Sequence, residues 1–277
     1  MTEWLPGPAW LFCPADRPDR YPKALAAADV VILDLEDAVA PGRKAAAREA
    51  VRRLADDGAL AVDRTVVRLN GAETADHALD LAVVAAAGVR RVMLAKSEDP
   101  VHMKAIEGEV VLLVETPRGI ENVAALAALV NVVAVMWGAD DLVAGLGGTA
   151  SRRDDGRYRD VARYARSRAL LAAKSWGRLA LDAVHLDIAD QAGLAAECED
   201  AVAVGFDATV AIHPSQLPVI RQAYLPAPGR VDWARRLLAQ VGDDTGVATF
   251  EGRMVDGPVF AQARRVLRLA EATRRGV

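Results

Sequence analysis

The sequence predicts an α/β protein, a (β/α)₈ TIM barrel, and three observations carry that expectation. Eight short apolar runs recur along the chain, Ala-rich helical stretches lie between them, and the runs close on polar or charged residues. Continuous apolar runs, rather than apolar–polar alternation, describe parallel strands buried on both faces. A length of 277 residues suits a single barrel of about 250 residues. A doubly wound open sheet is the alternative, but no Gly-x-Gly-x-x-Gly follows the first strand.

The strands are read at residues 10–14, 30–35, 65–69, 91–95, 110–115, 132–136, 179–186 and 209–213. Helical patterns lie at 43–54, 75–87, 120–129 and 192–204, and Gly88, Gly177 and Gly205 stand where helices should end. The interval from Met136 to Leu179 is too long for one helix. Its polar stretch, 147–156, reads either as a solvated loop or as part of the wall of a mouth above strand six. After strand eight, Pro226, Pro228 and Gly229 read as a linker to two further helices, 232–241 and 258–273. The expected organisation is a catalytic barrel over 1–225 and a helical extension over 226–277. The extension would cap the active site, in its own or a neighbouring subunit.

Composition narrows the function. Hydrophobic residues make up 52% of the chain, enough for a large core. Thirty-four basic residues against 38 acidic ones give a net charge of −4, which argues against a nucleic-acid partner. The N-terminus lacks the basic-then-apolar pattern of a signal peptide, and no uncharged apolar stretch reaches ~18 residues. The expectation is a soluble cytoplasmic protein with no membrane partner. Cys13 and Cys198 lie far apart in no metal-binding spacing and read as buried thiols in a reducing compartment.

In barrels of this kind the chemistry gathers at the carboxyl ends of the strands. Those ends read Asp16-Arg17-Pro18, Asp34-Leu35-Glu36-Asp37, Arg68-Leu69-Asn70, Lys96, Glu115, Asp140-Asp141, Asp187 and His213. Glu115 and Asp141 follow adjacent apolar runs and are the candidate ligands of a Mg²⁺ ion. Mg²⁺ takes one or two carboxylates and leaves its other positions to water and substrate. Asp140 competes with Asp141 for that role. The alternative is that one acid pairs with Arg118 or Arg68 and no metal binds. Arg68 lies inside a strand, where an unpaired guanidinium is costly. It reads as a bidentate clamp for a substrate carboxylate, as an ion pair with Glu36 or Asp37, or as both. Glu36 and Asp37 can hold metal-bound waters or orient Arg68. Lys96 reads as a charged partner of an acid in preference to a Schiff-base nucleophile. His213 and His185 read as packing residues.

The strings Trp10-Leu11-Phe12-Cys13-Pro14-Ala15-Asp16-Arg17-Pro18-Asp19-Arg20 and Ile32-Leu33-Asp34-Leu35-Glu36-Asp37-Ala38-Val39 resemble the citrate lyase β-subunit-like proteins of the HpcH/HpaI aldolase superfamily. The resemblance runs on through Val67-Arg68-Leu69-Asn70, Glu115-Thr116-Pro117-Arg118-Gly119, Gly138-Ala139-Asp140-Asp141-Leu142 and Ala211-Ile212-His213-Pro214-Ser215-Gln216. It ends at Met254-Val255-Asp256-Gly257-Pro258, so it spans nearly the whole chain, and it is closest to the short stand-alone members. It implies a homotrimer of barrels that uses Mg²⁺ and a coenzyme A thioester to make or break the bond between an acyl-CoA and an α-keto acid. It further implies that Glu115 and Asp141 hold the metal and that Arg68 takes the keto-acid carboxylate. Gly138 and Ala139 are expected to line the substrate, and Glu36 is expected to join Arg68 among the catalytic residues. Asp256 is the acid/base, often donated by a neighbouring subunit, and Arg17, Arg20 and Lys23 meet the coenzyme A phosphates. Two departures each remove a cation: Ala9-Trp10 stands where members often carry Arg-Ser, and Ala208-Thr209 where many carry Gly-Lys. Two other readings stand beside this one: a pyruvate-dependent aldolase acting without coenzyme A, and a non-catalytic scaffold subunit.

Overall fold

The computed structural model of the protein describes residue 4 and residues 6–241 and 246–275. Eight strands close into a barrel in chain order: β1 (Ala9–Pro14), β2 (Val30–Asp34), β3 (Thr65–Leu69), β4 (Arg91–Leu94), β5 (Glu109–Val114), β6 (Val132–Trp137), β7 (Leu179–Asp182) and β8 (Ala208–Ala211). All neighbours pair in parallel, and β8 closes on β1. The helices α1 (Tyr21–Ala27), α2 (Lys44–Asp56), α3 (Ala75–Ala86), α4 (Pro100–Lys104), α5 (Pro117–Ala127), α6 (Ala139–Gly145), α7 (Asp160–Ser175), α8 (Gln191–Val204) and α9 (Leu217–Tyr224) form the outer layer. Gly88, Gly177 and Gly205 all have positive φ, at 65°, 64° and 117°, as glycines that terminate helices do. Among the described residues no helix is long and apolar enough to cross a membrane.

The period-two alternation of each strand sorts the barrel into two cores. Leu11, Leu33, Val67, Leu94, Leu112 and Val135 face outward and pack against the helices. Trp10, Ile32, Val66, Met93, Leu113 and Met136 face inward and fill the barrel. Continuing the inward set by two residues places Phe12, Asp34, Arg68 and Glu115 as the uppermost inner layer. At the opposite end Trp4 stacks on Arg91, 4.0 Å from its ring, and Arg91 pairs with Glu109 at 2.6 Å. Both cysteines are buried and free, and burial pushes the Cys13 thiol up to about 11 and the Cys198 thiol up to about 12.

Three expectations need correction. Strand β7 stops at Asp182, so Asp187 is not a strand-end residue but an exposed loop residue. The apolar stretch beyond Asp182 continues in the sequence, yet Leu186 and Ile188 face solvent as loop residues. His213 is exposed rather than a packing residue; it caps a 3₁₀ turn through Ser215. The proline- and glycine-containing segment at 226–229 is already partly helical, because α10 (Pro228–Val241) begins at Pro228, a favoured first position.

The tail also contains strands. Between α10 and α11 (Gly257–Arg275) lies a hairpin of β9 (Val247–Phe250) and β10 (Arg253–Asp256), antiparallel with Asp256 opposite Val247. The two turn residues, Glu251 and Gly252, both have positive φ, 48° and 74°, the twist that a two-residue hairpin loop favours. Residues 242–245, part of the connection expected between the tail helices, lie outside the described residues. Ala234, Leu237, Phe250, Val255, Phe260 and Ala263 form a cluster of their own, separate from the barrel cores. Arg265 ties the tail to the barrel through the Phe206 carbonyl at 2.5 Å and Asp207 at 3.3 Å, just ahead of β8. That junction lies at the amino end of the barrel.

Candidate active site

The upper inner layer is charged. Arg68 donates from Nε and Nη2 to the two oxygens of Asp34, at 2.7 and 2.5 Å, and its Nη1 lies 3.3 Å from Glu36. Its guanidinium rests on the Phe12 ring, 4.6 Å from the centroid. All three of Asp34, Glu36 and Arg68 are buried. Arg68 is thus an ion pair, as one reading expected, but its main partner is Asp34 and not Asp37. Register carried the signal, because Asp34 and Arg68 are lateral neighbours across β2 and β3. Asp34 takes the Nε–Nη2 edge of the guanidinium and Glu36 stands at Nη1, so all three nitrogens face a carboxylate.

Glu115 follows the last residue of β5 and is 3% exposed. Its Oε1 accepts from the Lys96 backbone N–H at 3.0 Å. Burial first, and the negative charge of Asp141 second, push its carboxyl up to about 8. Neither Arg118 nor Arg68 pairs with it: Arg118 bonds Asp99 at 3.1 Å, and Arg68 is held by Asp34 and Glu36. Asp141, in the first turn of α6, lies 3.6 Å from the Lys96 ammonium. Asp140 points elsewhere and accepts from Ser151 Oγ at 2.7 Å. The geometry therefore separates two residues that the sequence left in competition, and sets Asp141 with Glu115. Two carboxylates suit Mg²⁺, which takes few protein ligands. Among the described residues no group of three or more His, Cys, Asp or Glu forms a closed metal cage.

Gly138 is part of this arrangement. A Cβ there would lie 2.8 Å from Glu115 Cβ and 3.0 Å from Oε2. Only glycine lets the β6–α6 turn pass this close to the acid. Gly138→Ala is expected to displace the Glu115 carboxylate and to weaken Mg²⁺ affinity ~10–100-fold, as changes to groups that orient metal ligands do. Calorimetric Mg²⁺ titration of the variant checks this; unaltered affinity would mean that Glu115 is not held by the turn.

A second expectation concerns pH. Glu115, moved from 4.5 to about 8, binds its proton more tightly in the folded chain than in the unfolded one. Between these two values the folded state carries the extra proton, so the stability of the metal-free protein falls as pH rises through that window. Melting temperatures in EDTA, taken from about pH 5 to about pH 8, should fall, and Glu115→Gln should flatten the slope. A slope identical in the variant would assign the effect to other groups.

Lys96 is charged and paired, as expected. Its ammonium donates to Glu36 at 2.6 Å and lies 3.5 Å from Asp37. Burial alone would lower it, but the Glu36 bond and the charge of Glu115 hold it above its ordinary value. Arg17, Arg20 and Lys23 are exposed at the carboxyl end of β1, and Arg17 forks onto Asp19 at 2.9 and 3.0 Å. Asp256 is half-buried on the hairpin. Among the described residues no hydrogen bond or ion pair joins it to Glu115, Asp141 or Arg68.

The stretch 147–156 does more than cover the surface. Ser151 and Arg152 help line a cavity of about 1080 Å³ with Asp140, Tyr158, His185 and Glu197. This cavity lies between the loop, α7 and α8; Glu115 and Asp141 do not line it. His185 is buried as expected, with Nδ1 2.9 Å from Glu197.

Fold and charge pattern define the class: an α/β barrel with a layer of charged groups at the strand carboxyl ends. The family model for HpcH/HpaI aldolase/citrate lyase matches residues 9–110 and 107–214, and the chain belongs to that family of lyases. It is 56% identical over 269 residues to the citrate lyase subunit beta-like protein of Mycobacterium tuberculosis, covering 96% of this chain and 97% of the relative. It is 30% identical over 274 residues to the mitochondrial citramalyl-CoA lyase of Mus musculus, covering 87% and 79%. It superposes on the crystal structure of protein CitE from M. tuberculosis in complex with magnesium, acetoacetate and coenzyme A, with a TM-score of 0.87 and 55% identity over 97% of this chain and 99% of that one.

Proposed function

We propose that the protein is a Mg²⁺-dependent carbon–carbon lyase. It cleaves, or forms, a β-hydroxyacyl-CoA such as citramalyl-CoA or malyl-CoA, the other partners being an acyl-CoA and an α-keto acid. The observation that carries this reading is the buried Glu115 after β5, set against Asp141 in the first turn of α6 and Arg68 at the end of β3, neither Arg68 nor Arg118 pairing with it. The magnesium and coenzyme A of the M. tuberculosis protein and the citramalyl-CoA lyase relative support it.

Glu115 and Asp141 would hold the ion, which supplies Lewis-acid polarisation of the substrate oxygens when bound. Arg68 takes the keto-acid carboxylate, and Asp34, Glu36 and Phe12 keep its guanidinium in one plane. The scissile bond is thereby held in one orientation. Gly138 and Ala139 form the floor beside it. Asp256 protonates the α-carbon of the departing acyl-CoA in cleavage and removes the same proton in synthesis. Arg17, Arg20 and Lys23 meet the coenzyme A phosphates, as a homotrimer in which each tail reaches a neighbouring barrel and caps its mouth.

The test is keto-acid release from a panel of β-hydroxyacyl-CoA thioesters, including citramalyl-CoA and malyl-CoA, with Mg²⁺ and with EDTA. Metal-dependent cleavage supports the lyase and ranks its substrates. Cleavage only of free hydroxy-keto acids would replace it with an aldolase acting without coenzyme A. Silence on both would leave a scaffold.

A further inference from the structure

Lys96 is a non-glycine residue with φ of 52°, in the left-handed region that a lysine seldom enters. Such a conformation costs free energy and persists only where its surroundings impose it. Here the surroundings are the candidate metal ligands themselves. The main-chain N–H of Lys96 is bound to Glu115 Oε1 at 3.0 Å. Its side chain turns back over the same acids, 2.6 Å from Glu36, 3.5 Å from Asp37 and 3.6 Å from Asp141. One residue thus reaches both Glu115 and Asp141, the first through its backbone and the second through its charge.

We propose that Lys96 is a built-in counter-ion of the acid ring, which holds the carboxylates together before a divalent cation arrives and then competes with that cation for them. The inference rests on the reading of Glu115 and Asp141 as metal ligands. Glu36, Asp37 and Asp141 each lie within 3.6 Å of the Lys96 ammonium and Glu115 lies on its backbone N–H, while Arg68 is already committed to Asp34 and Glu36. Without the ammonium these carboxylates repel one another. With it, an entering dication meets a like charge a few ångströms away in a partly desolvated site, where such repulsion is strong. The ammonium therefore keeps intrinsic metal affinity low. Lys96 is a positioning residue: its backbone sets the Glu115 rotamer, and its charge sets how tightly the ring grips a metal.

The test is calorimetric titration of Mg²⁺ into the purified full chain and into Lys96→Gln and Lys96→Arg, each with a melting curve in EDTA. Lys96→Gln is expected to bind Mg²⁺ about tenfold more tightly, while melting lower than the wild type without metal. Lys96→Arg restores the charge and should return both quantities towards wild type. A residue that merely shaped the site would give the opposite sign, with weaker binding on removal. Should Lys96→Gln fail to fold, Lys96→Asn carries the same test, since asparagine tolerates positive φ. Wild-type protein that binds no Mg²⁺ would overturn the metal reading and this one together. Wild-type binding with equal or weaker affinity in the neutral variants would overturn this one alone.

Discussion

Replacing Glu115 by glutamine is expected to abolish measurable Mg²⁺ binding and to lower kcat/KM by ~10³-fold or more, since loss of a Lewis acid removes several kcal/mol of transition-state stabilisation at about 1.4 kcal/mol per decade. The substitution is close to isosteric. The amide oxygen can still accept from the Lys96 N–H that now binds Oε1. What changes is charge, and a buried neutral amide is less costly than a buried carboxylate already pushed up to about 8. The variant should therefore fold, and in EDTA it should melt no lower than the wild type. Loss of metal and activity with retained stability would assign Glu115 to the ion. Wild-type Mg²⁺ affinity in Glu115→Gln would remove that assignment.

Replacing Asp256 by alanine should act on a different step. A general acid/base is worth ~10²–10⁴-fold in rate, so kcat should drop by that factor while Mg²⁺ affinity stays unchanged. The position of the tail sharpens this expectation. Asp256 sits on a hairpin whose own chain is tied to the amino end of the barrel by Arg265, away from the acids it is meant to serve. If each tail serves a neighbouring barrel, inactive Asp256→Ala and inactive Glu115→Gln should complement one another on mixing. In randomly reassembled oligomers about a quarter of the sites would combine an intact Glu115 with an intact Asp256. Recovery of activity on mixing, after dissociation and reassembly, supports donation across subunits. Mixtures that stay inactive would confine Asp256 to its own chain or remove its role.

Much of this architecture is legible in the sequence, for physical reasons. Buried parallel strands are apolar on both faces, so Val30–Asp34, Thr65–Leu69 and Val132–Trp137 stand out without reference to any partner. The same logic misplaced the end of β7, because the residues after Asp182 remain apolar without being in a strand. The tail hairpin was missed because its strands are four residues each and its turn begins with Glu251, a residue seldom found at positive φ. In the site, strand ends pointed to Glu115, Asp141 and Arg68 from chain order alone. Pairings across strands were harder. Asp34 as the partner of Arg68, and Ser151 as the partner of Asp140, depend on register and on a loop's path. The closeness of Gly138 to Glu115 is a matter of tenths of an ångström, below anything a pattern of residue types conveys.

The stacked interior of the barrel has one more effect. Trp10, Ile32, Met93 and Leu113 fill the space beneath the charged layer, and the Trp4–Arg91–Glu109 stopper seals the far end. Among the described residues the charged layer is backed by this packed interior, so a ligand meets the acids from the carboxyl-terminal side of the barrel. Whatever enters first lies deepest and is blocked by whatever enters second. For the proposed reaction, the small keto acid against Arg68 and the acid pair is first in and last out. The bulky thioester, lodged nearer the rim, must depart before it. Under that proposal the packed floor of the barrel, and not only the relative affinities of the two fragments, would set the order of traffic.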